Sequence, residues 1–127
     1  MLTEVELAYI AGLFDGEGSV SISHYETGRF YLTASIGMQS EVVNWVAEKC
    51  EGVSNPCGSM FQVTFLGGKA KQFLKPLLPY LKVKKPDAEI ALEFPTQETN
   101  TKIPDSIKLT QALLLVKLRK LRRKIGE

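Results

Sequence analysis

The chain has one histidine, one tryptophan and two cysteines in 127 residues, so most metal-ligand and nucleophile constellations have no raw material. Neither Cys50 nor Cys57 has a cysteine or histidine partner at metal-ligand spacing, and Cys50 falls in a helical pattern. Both read as reduced, structural thiols. His24 lies on the inward phase of a strand pattern and Trp45 beside an apolar helical stripe, so both read as packing residues. Long apolar runs are missing too: Ala112 to Val116, for example, stops at Lys117, far short of the roughly 18 residues a membrane span needs. The opening MLTEVE lacks the basic region and the small-residue cleavage site of a secretory signal. A soluble, intracellular protein is expected, in the cytoplasm or an organelle and not secreted, with no membrane partner.

Positive charge is scarce in the first half. Residues 1–67 hold two basic side chains against eight acidic ones, whereas residues 68–127 hold fourteen against six, which sum to the formal net charge of +2. The densest basic run is KLRKLRRK at 117–124. Such a run neutralises phosphates or forms a solvated helix face.

What is present is enough apolar residue, 44%, and enough length for one folded domain. Thr3 and Glu6 form a capping box, and Leu7, Ile10, Ala11 and Phe14 then recur at helical spacing, which predicts a helix over about 4–16. GSVSISHY alternates Val20 and Ile22 with serines, and RFYLTASIGM alternates again after a Glu-Thr-Gly turn, so the two form a hairpin. Ser40 is the expected cap of a second helix carrying Val43, Val46, Ala47 and Cys50, with Gly52 at its stop. A weakly signalled strand near 53–58 precedes Met60 to Leu66, and a third helix follows that Pro79 ends. A helix opened by Pro86 and closed before Pro95, and another over about 105–124, complete the chain. The expectation is an α+β fold of order αββαββα with an antiparallel sheet. It forms a single domain over 1–127, with a core unit at about 3–84 and a helical appendage at about 85–125. No internal repeat occurs, so the unit is present once.

The first helix has a second stripe. Ala8, Gly12 and Gly16 lie four apart, and glycine inside a soluble helix costs about 1 kcal/mol relative to alanine. Two such residues point to close approach of another helix backbone, from this chain or from a second copy. At the end of the helix Asp15 and Glu17 bracket Gly16, where acidic groups oppose the macrodipole by about 0.3–1 kcal/mol each. That cost suggests a use such as binding a divalent cation. A two-fold interface along the small stripe delivers one Glu17 from each partner to the same place.

The segment IAGLFDGEG at 10–18 resembles the LAGLIDADG motif of homing endonucleases. Ala11, Gly12, Leu13, Asp15 and Gly18 match outright, and Ile10, Phe14, Gly16 and Glu17 are conservative variants. The αββαββα order matches one unit of that family, and a single motif corresponds to its homodimeric type. The resemblance implies hydrolysis of both strands of double-stranded DNA at a long, palindromic or near-palindromic site, in a setting of intron or intein mobility. It implies that Glu17 binds Mg2+ or another divalent cation such as Mn2+, that the Gly16 carbonyl assists, and that Ala8, Gly12 and Gly16 form the dimer interface. It also implies a polar residue and a lysine near the reacting water. Gln39 and Lys84 are the matching positions, with Ser40 competing for the first.

If the apolar phase of the strands faces the helices, the opposite sheet face carries Ser19, Ser21, Ser23, Tyr25, Arg29, Tyr31, Thr33, Ser35, Gln62 and Thr64. Strands in a major groove read base edges with such groups, Arg forking onto guanine and Gln onto adenine. The face departs from the family pattern in having one arginine and no lysine. Phosphate contacts then fall to the lysines at 69, 71, 75, 82, 84 and 85 and to the basic tail. Two other functions fit the same residues: a non-cleaving nucleic-acid binder such as an RNA maturase or regulator, and a homodimeric scaffold.

Overall fold

The first helix begins where local chemistry says it should. Thr3 Oγ1 accepts the Glu6 backbone N–H at 3.1 Å while Glu6 Oε1 accepts the Thr3 N–H at 2.9 Å, satisfying two donors that a helix N-terminus otherwise leaves open. A computed structural model describes residues 2–96 and 102–126, with side chains described as far as Leu121. Within it the chain runs α1 (Glu4–Glu17), β1 (Gly18–His24), β2 (Phe30–Met38), α2 (Ser40–Cys50), β3 (Val53–Cys57), β4 (Met60–Leu66), α3 (Gly68–Leu74), a 3-10 segment (Lys75–Tyr80), α4 (Lys85–Glu93) and α5 (Asp105–Gly126).

The four strands form one antiparallel sheet in the order β1-β2-β4-β3. Its register runs from Gly18↔Ile36 to His24↔Phe30, from Thr33↔Leu66 to Met38↔Phe61, and from Val53↔Thr64 to Cys57↔Met60. One face carries Val20, Ile22, Leu32, Ala34, Ile36, Val63 and Phe65 into the core, where they meet Ile10, Ala11 and Phe14 of α1 and Val43 and Val46 of α2. Phe73 stacks on Phe65 at 4.0 Å and meets Phe14 edge-on at 5.9 Å, so α3 closes the core against both the sheet and α1. Each such phenylalanine contributes about 2–3 kcal/mol on burial. The residues set apart above as an appendage send Ala88, Ile90, Ala91, Phe94, Leu114 and Leu118 into this same core.

Three local expectations are corrected. Gln39, not Ser40, occupies the cap position of α2, and its side chain makes no capping bond; Ser40 is the first helical residue. The left-handed residue that stops α2 is Glu51, at φ 58°, and not Gly52. Gly52 is needed for space, since a Cβ there would lie 2.6 Å from Val63 Cγ2 and 2.7 Å from Phe65 Cε1. The third helix yields at Leu74, before Pro79, because Pro76 cannot donate to the preceding turn; the backbone tightens into the 3-10 segment, which contains Pro79. No helix among the described residues is long and apolar enough to cross a membrane.

Candidate functional site

The sheet register gathers one end of the molecule. Gly18, directly after α1, pairs with Ile36, so the C-terminus of α1 lies at the sheet end where β2 runs into Gln39 and α2. The segment before α4 comes to the same place, for a reason absent from the sequence pattern. Asp15 Oδ2 accepts the backbone N–H of Lys82 at 2.9 Å, and Oδ1 accepts those of Val83 at 3.1 Å and Lys84 at 2.9 Å. Lys84 is the cap residue of α4 and its side chain makes no capping bond, so Asp15 fixes the turn that leads into this helix rather than capping the helix's own first N–H groups.

The two carboxylates bracketing Gly16 therefore part company. Asp15 is half-buried and committed to three N–H donors at the positive end of α4, which offsets its unfavourable place on α1. Glu17 is exposed, and the last turn of α1 contains no basic residue. Carbonyls of that last turn have no partner within a helix, so Glu17 and the Gly16 carbonyl form a small oxygen-rich, negative end. Among the described residues no three His, Cys, Asp or Glu side chains lie together as a metal cluster. One chain thus offers a hard cation a single carboxylate plus backbone oxygen, a fraction of the 6–8 oxygens that Ca2+ takes or the octahedral set of Mg2+.

Ala8, Gly12 and Gly16 are all exposed, and a Cβ added at Gly12 or Gly16 would meet nothing within 4 Å. Among the described residues no other helix packs on the small stripe. The face continues upward into Val5, 80% exposed, and Tyr9, whose ring meets Trp45 edge-on at 5.7 Å. Trp45 is half-buried in that packing role. His24 is exposed at the strand end and stacks on Phe30 at 4.3 Å, a packing contact at the rim rather than in the core.

The outer sheet face lies in rows. Ser19, Ser35, Thr64 and Val53 form one; Ser21, Thr33 and Leu66 a second; Ser23 and Tyr31 a third; Gly37, Gln62 and Asn55 a fourth. Every strand residue nominated for base reading is in these rows, and Tyr25 extends them, its ring 4.7 Å from that of Tyr31. Arg29 sits apart from them: it is half-buried and lines a cleft with Gly67, Phe94, Thr96 and Gln111 beneath the helices. Sequence reasoning missed Asn55, Val53, Leu66 and Met60. The last two were in a recognised alternation, and their exposure of 63% and 49% places them on the open face.

The lysines divide as well. Lys71 Nζ donates to the Phe94 carbonyl at 2.8 Å and so caps the C-terminal end of α4, which removes it from the set free for phosphates. Lys69, Lys75, Lys82 and Lys85 are exposed, and Lys84 is half-buried. Of the basic tail, the side chains from Arg122 onward lie outside the described residues.

No family model and no curated protein matches this chain. Solved structures do. The homing endonuclease I-CvuI, in complex with the I-CreI target in the presence of Mg with the DNA not cleaved, superposes with a TM-score of 0.79 at 23% identity, covering 93% of this chain and 82% of that one. The homing endonuclease I-TnaI gives a TM-score of 0.63 at 14% identity over 98% of both chains. The LAGLIDADG homing endonuclease I-GzeII, in complex with a DNA target, gives 0.65 at 16% identity, covering 89% of this chain but 43% of that one. With its motif helix, hairpins and covering helices in the same arrangement, this chain has the fold of the LAGLIDADG homing endonucleases.

Proposed function

We propose that the chain is a site-specific DNA endonuclease that works as a two-fold homodimer and hydrolyses both strands of its target with a divalent cation, Mg2+ or Mn2+. The observation that carries this reading is the open small face of α1, ending in an exposed Glu17. Two glycines cost about 2 kcal/mol in an isolated helix and meet nothing among the described residues, whereas a second copy of α1 has room to lie along them. The fold's known examples include complexes with DNA targets, which is the partner proposed for the sheet face.

In that dimer the two Glu17 carboxylates and the Gly16 carbonyls supply oxygen donors from both partners, which fits a hard cation. When bound, such an ion stabilises the charge that builds on a phosphodiester under attack by water. The chain's own groups do the rest. Ala8, Gly12 and Gly16 admit the partner helix. Lys84, whose backbone is fixed by Asp15, brings a positive side chain to a phosphate, and Gln39 at the start of α2 orients water through its amide. The serines, threonines, Gln62 and the tyrosines of the outer rows meet base edges, and Arg29, set apart from those rows, is left to a phosphate contact beside them.

The test is cleavage of a randomised duplex library by the purified protein with Mg2+, then with Ca2+, followed by sequencing of the ends. Cut ends carrying a palindromic consensus, lost in the Glu17→Gln variant, are expected. No cutting and no retained DNA in either metal would leave the open α1 face as a protein scaffold and end this reading.

A further inference from the structure

Among the described residues no outward position of the four strands carries a charge. The single arginine assigned to the face lies beyond them, in the cleft with Phe94 and Gln111. Guanine is read in the major groove chiefly by arginine or lysine, through O6 and N7. The open face has neither. What it has instead is specific. Asn55 and Gln62 are direct cross-strand partners on β3 and β4, two carboxamides side by side. Leu66 stands opposite Thr33 and is 63% exposed, Val53 stands opposite Thr64 and is 61% exposed, and Met60 is 49% exposed. Large apolar side chains on the solvent face of a sheet gain nothing in the monomer, and here Val53 and Met60 lie in the rows on either side of the amide pair, with Leu66 one row beyond Val53.

The geometry points to a half-site read as A·T pairs: adenine N6 and N7 by the Gln62–Asn55 amides, and thymine C5-methyl groups by Leu66, with the Thr33 methyl beside it, and by Val53. Carboxamides pair bidentately with adenine, and apolar side chains distinguish thymine by its methyl. Both partners are uncharged, as the face is. This inference rests on the DNA-cleavage reading and adds the base composition that the site selects.

The experiment uses the full-length protein and binding selection from a duplex library in Ca2+, followed by affinity measurements on the selected duplex and modified versions of it. A·T pairs are expected in each half-site at the selected positions that lie over the Gln62–Asn55, Val53 and Leu66 rows, with a switch to G·C at one of them weakening binding roughly 10-fold. Replacing those thymines by deoxyuridine, which lacks only the methyl, is expected to weaken binding several-fold in the wild type and not at the affected position in Leu66→Ala. Replacing adenine by 7-deazaadenine is expected to do the same in the wild type and not in Gln62→Ala. A consensus dominated by G·C, or an A·T consensus indifferent to deoxyuridine and 7-deazaadenine, overturns the inference while the endonuclease reading stands. Recovery of no consensus at all sinks both. Leu66 is exposed, so its substitution leaves the core intact, and the base-analogue arms need no variant.

Discussion

Asp15 Oδ1 accepts the backbone N–H of Lys84 at 2.9 Å, tying the end of the motif helix to the start of α4. The same carboxylate holds Lys82 and Val83, so one side chain orders three successive amides. Asp15 and Glu17, two residues apart and both acidic, consequently have opposite energetic signs. Asp15 is stabilising because its charge is met by donors and by the N-terminus of a helix. Glu17 faces the negative end of its own helix with no basic neighbour in that turn.

Their substitutions should separate. Asp15→Ala removes a charged acceptor from three N–H groups and is expected to cost about 2 kcal/mol of stability, read as a lower urea midpoint at unchanged m-value. Glu17→Gln should leave stability unchanged or raise it by up to about 1 kcal/mol, while abolishing cleavage and preserving the dimer. A Glu17→Gln protein as destabilised as Asp15→Ala would show that Glu17 has a structural role; an active one would remove it from the cation site.

The two ends of the glycine pattern also part. Gly12 has open space around a hypothetical Cβ, so Gly12→Ala should stabilise the single chain by about 1 kcal/mol and Gly12→Leu should fold normally but stay monomeric by sedimentation and fail to cleave. Gly18 is the reverse: a Cβ there would press on the Phe14 ring and carbonyl, so Gly18→Ala should destabilise the fold itself, by about 1–3 kcal/mol as overpacking does. A dimeric, cleaving Gly12→Leu protein would move the subunit interface away from α1.

Much of this was legible beforehand because it is local. The capping box, the period-two alternation of β1, β2 and β4, and the four-residue spacing of Ala8, Gly12 and Gly16 are each complete within a few residues. What stayed hidden depends on pairing across the chain. Asp15 finds its donors 67 to 69 residues away, so nothing in IAGLFDGEG distinguishes it from Glu17. Asn55 lies in a strand interrupted by Pro56, and only the β3–β4 register sets it beside Gln62. Lys71 looked like any lysine of a basic segment until the Phe94 carbonyl was placed beside it. Gly52 ends a helical pattern as a conformational stop would, but its use is steric, against Val63 and Phe65, two side chains of a strand that the local pattern does not bring to it.

The cysteines give a pH-dependent prediction. Cys50 is half-buried and Cys57 exposed, and neither is bonded to the other. Burial, with a smaller contribution from the nearby Glu6 charge, pushes the Cys50 thiol up from 9.0 to about 11. The thiolate is the reactive form, so at pH 8 a disulfide reagent should titrate Cys57 rapidly and Cys50 only after denaturant is added. Folding favours the neutral thiol, so its stabilising contribution is complete below pH 9 and is lost as pH rises through about 11. Urea midpoints measured from pH 8 to 11 should therefore fall toward the alkaline end in the wild type and fall less in Cys50→Ala, whose own midpoint at pH 8 is lower by the packing it gives up. Equal alkaline slopes in the two proteins would show that another group sets the loss.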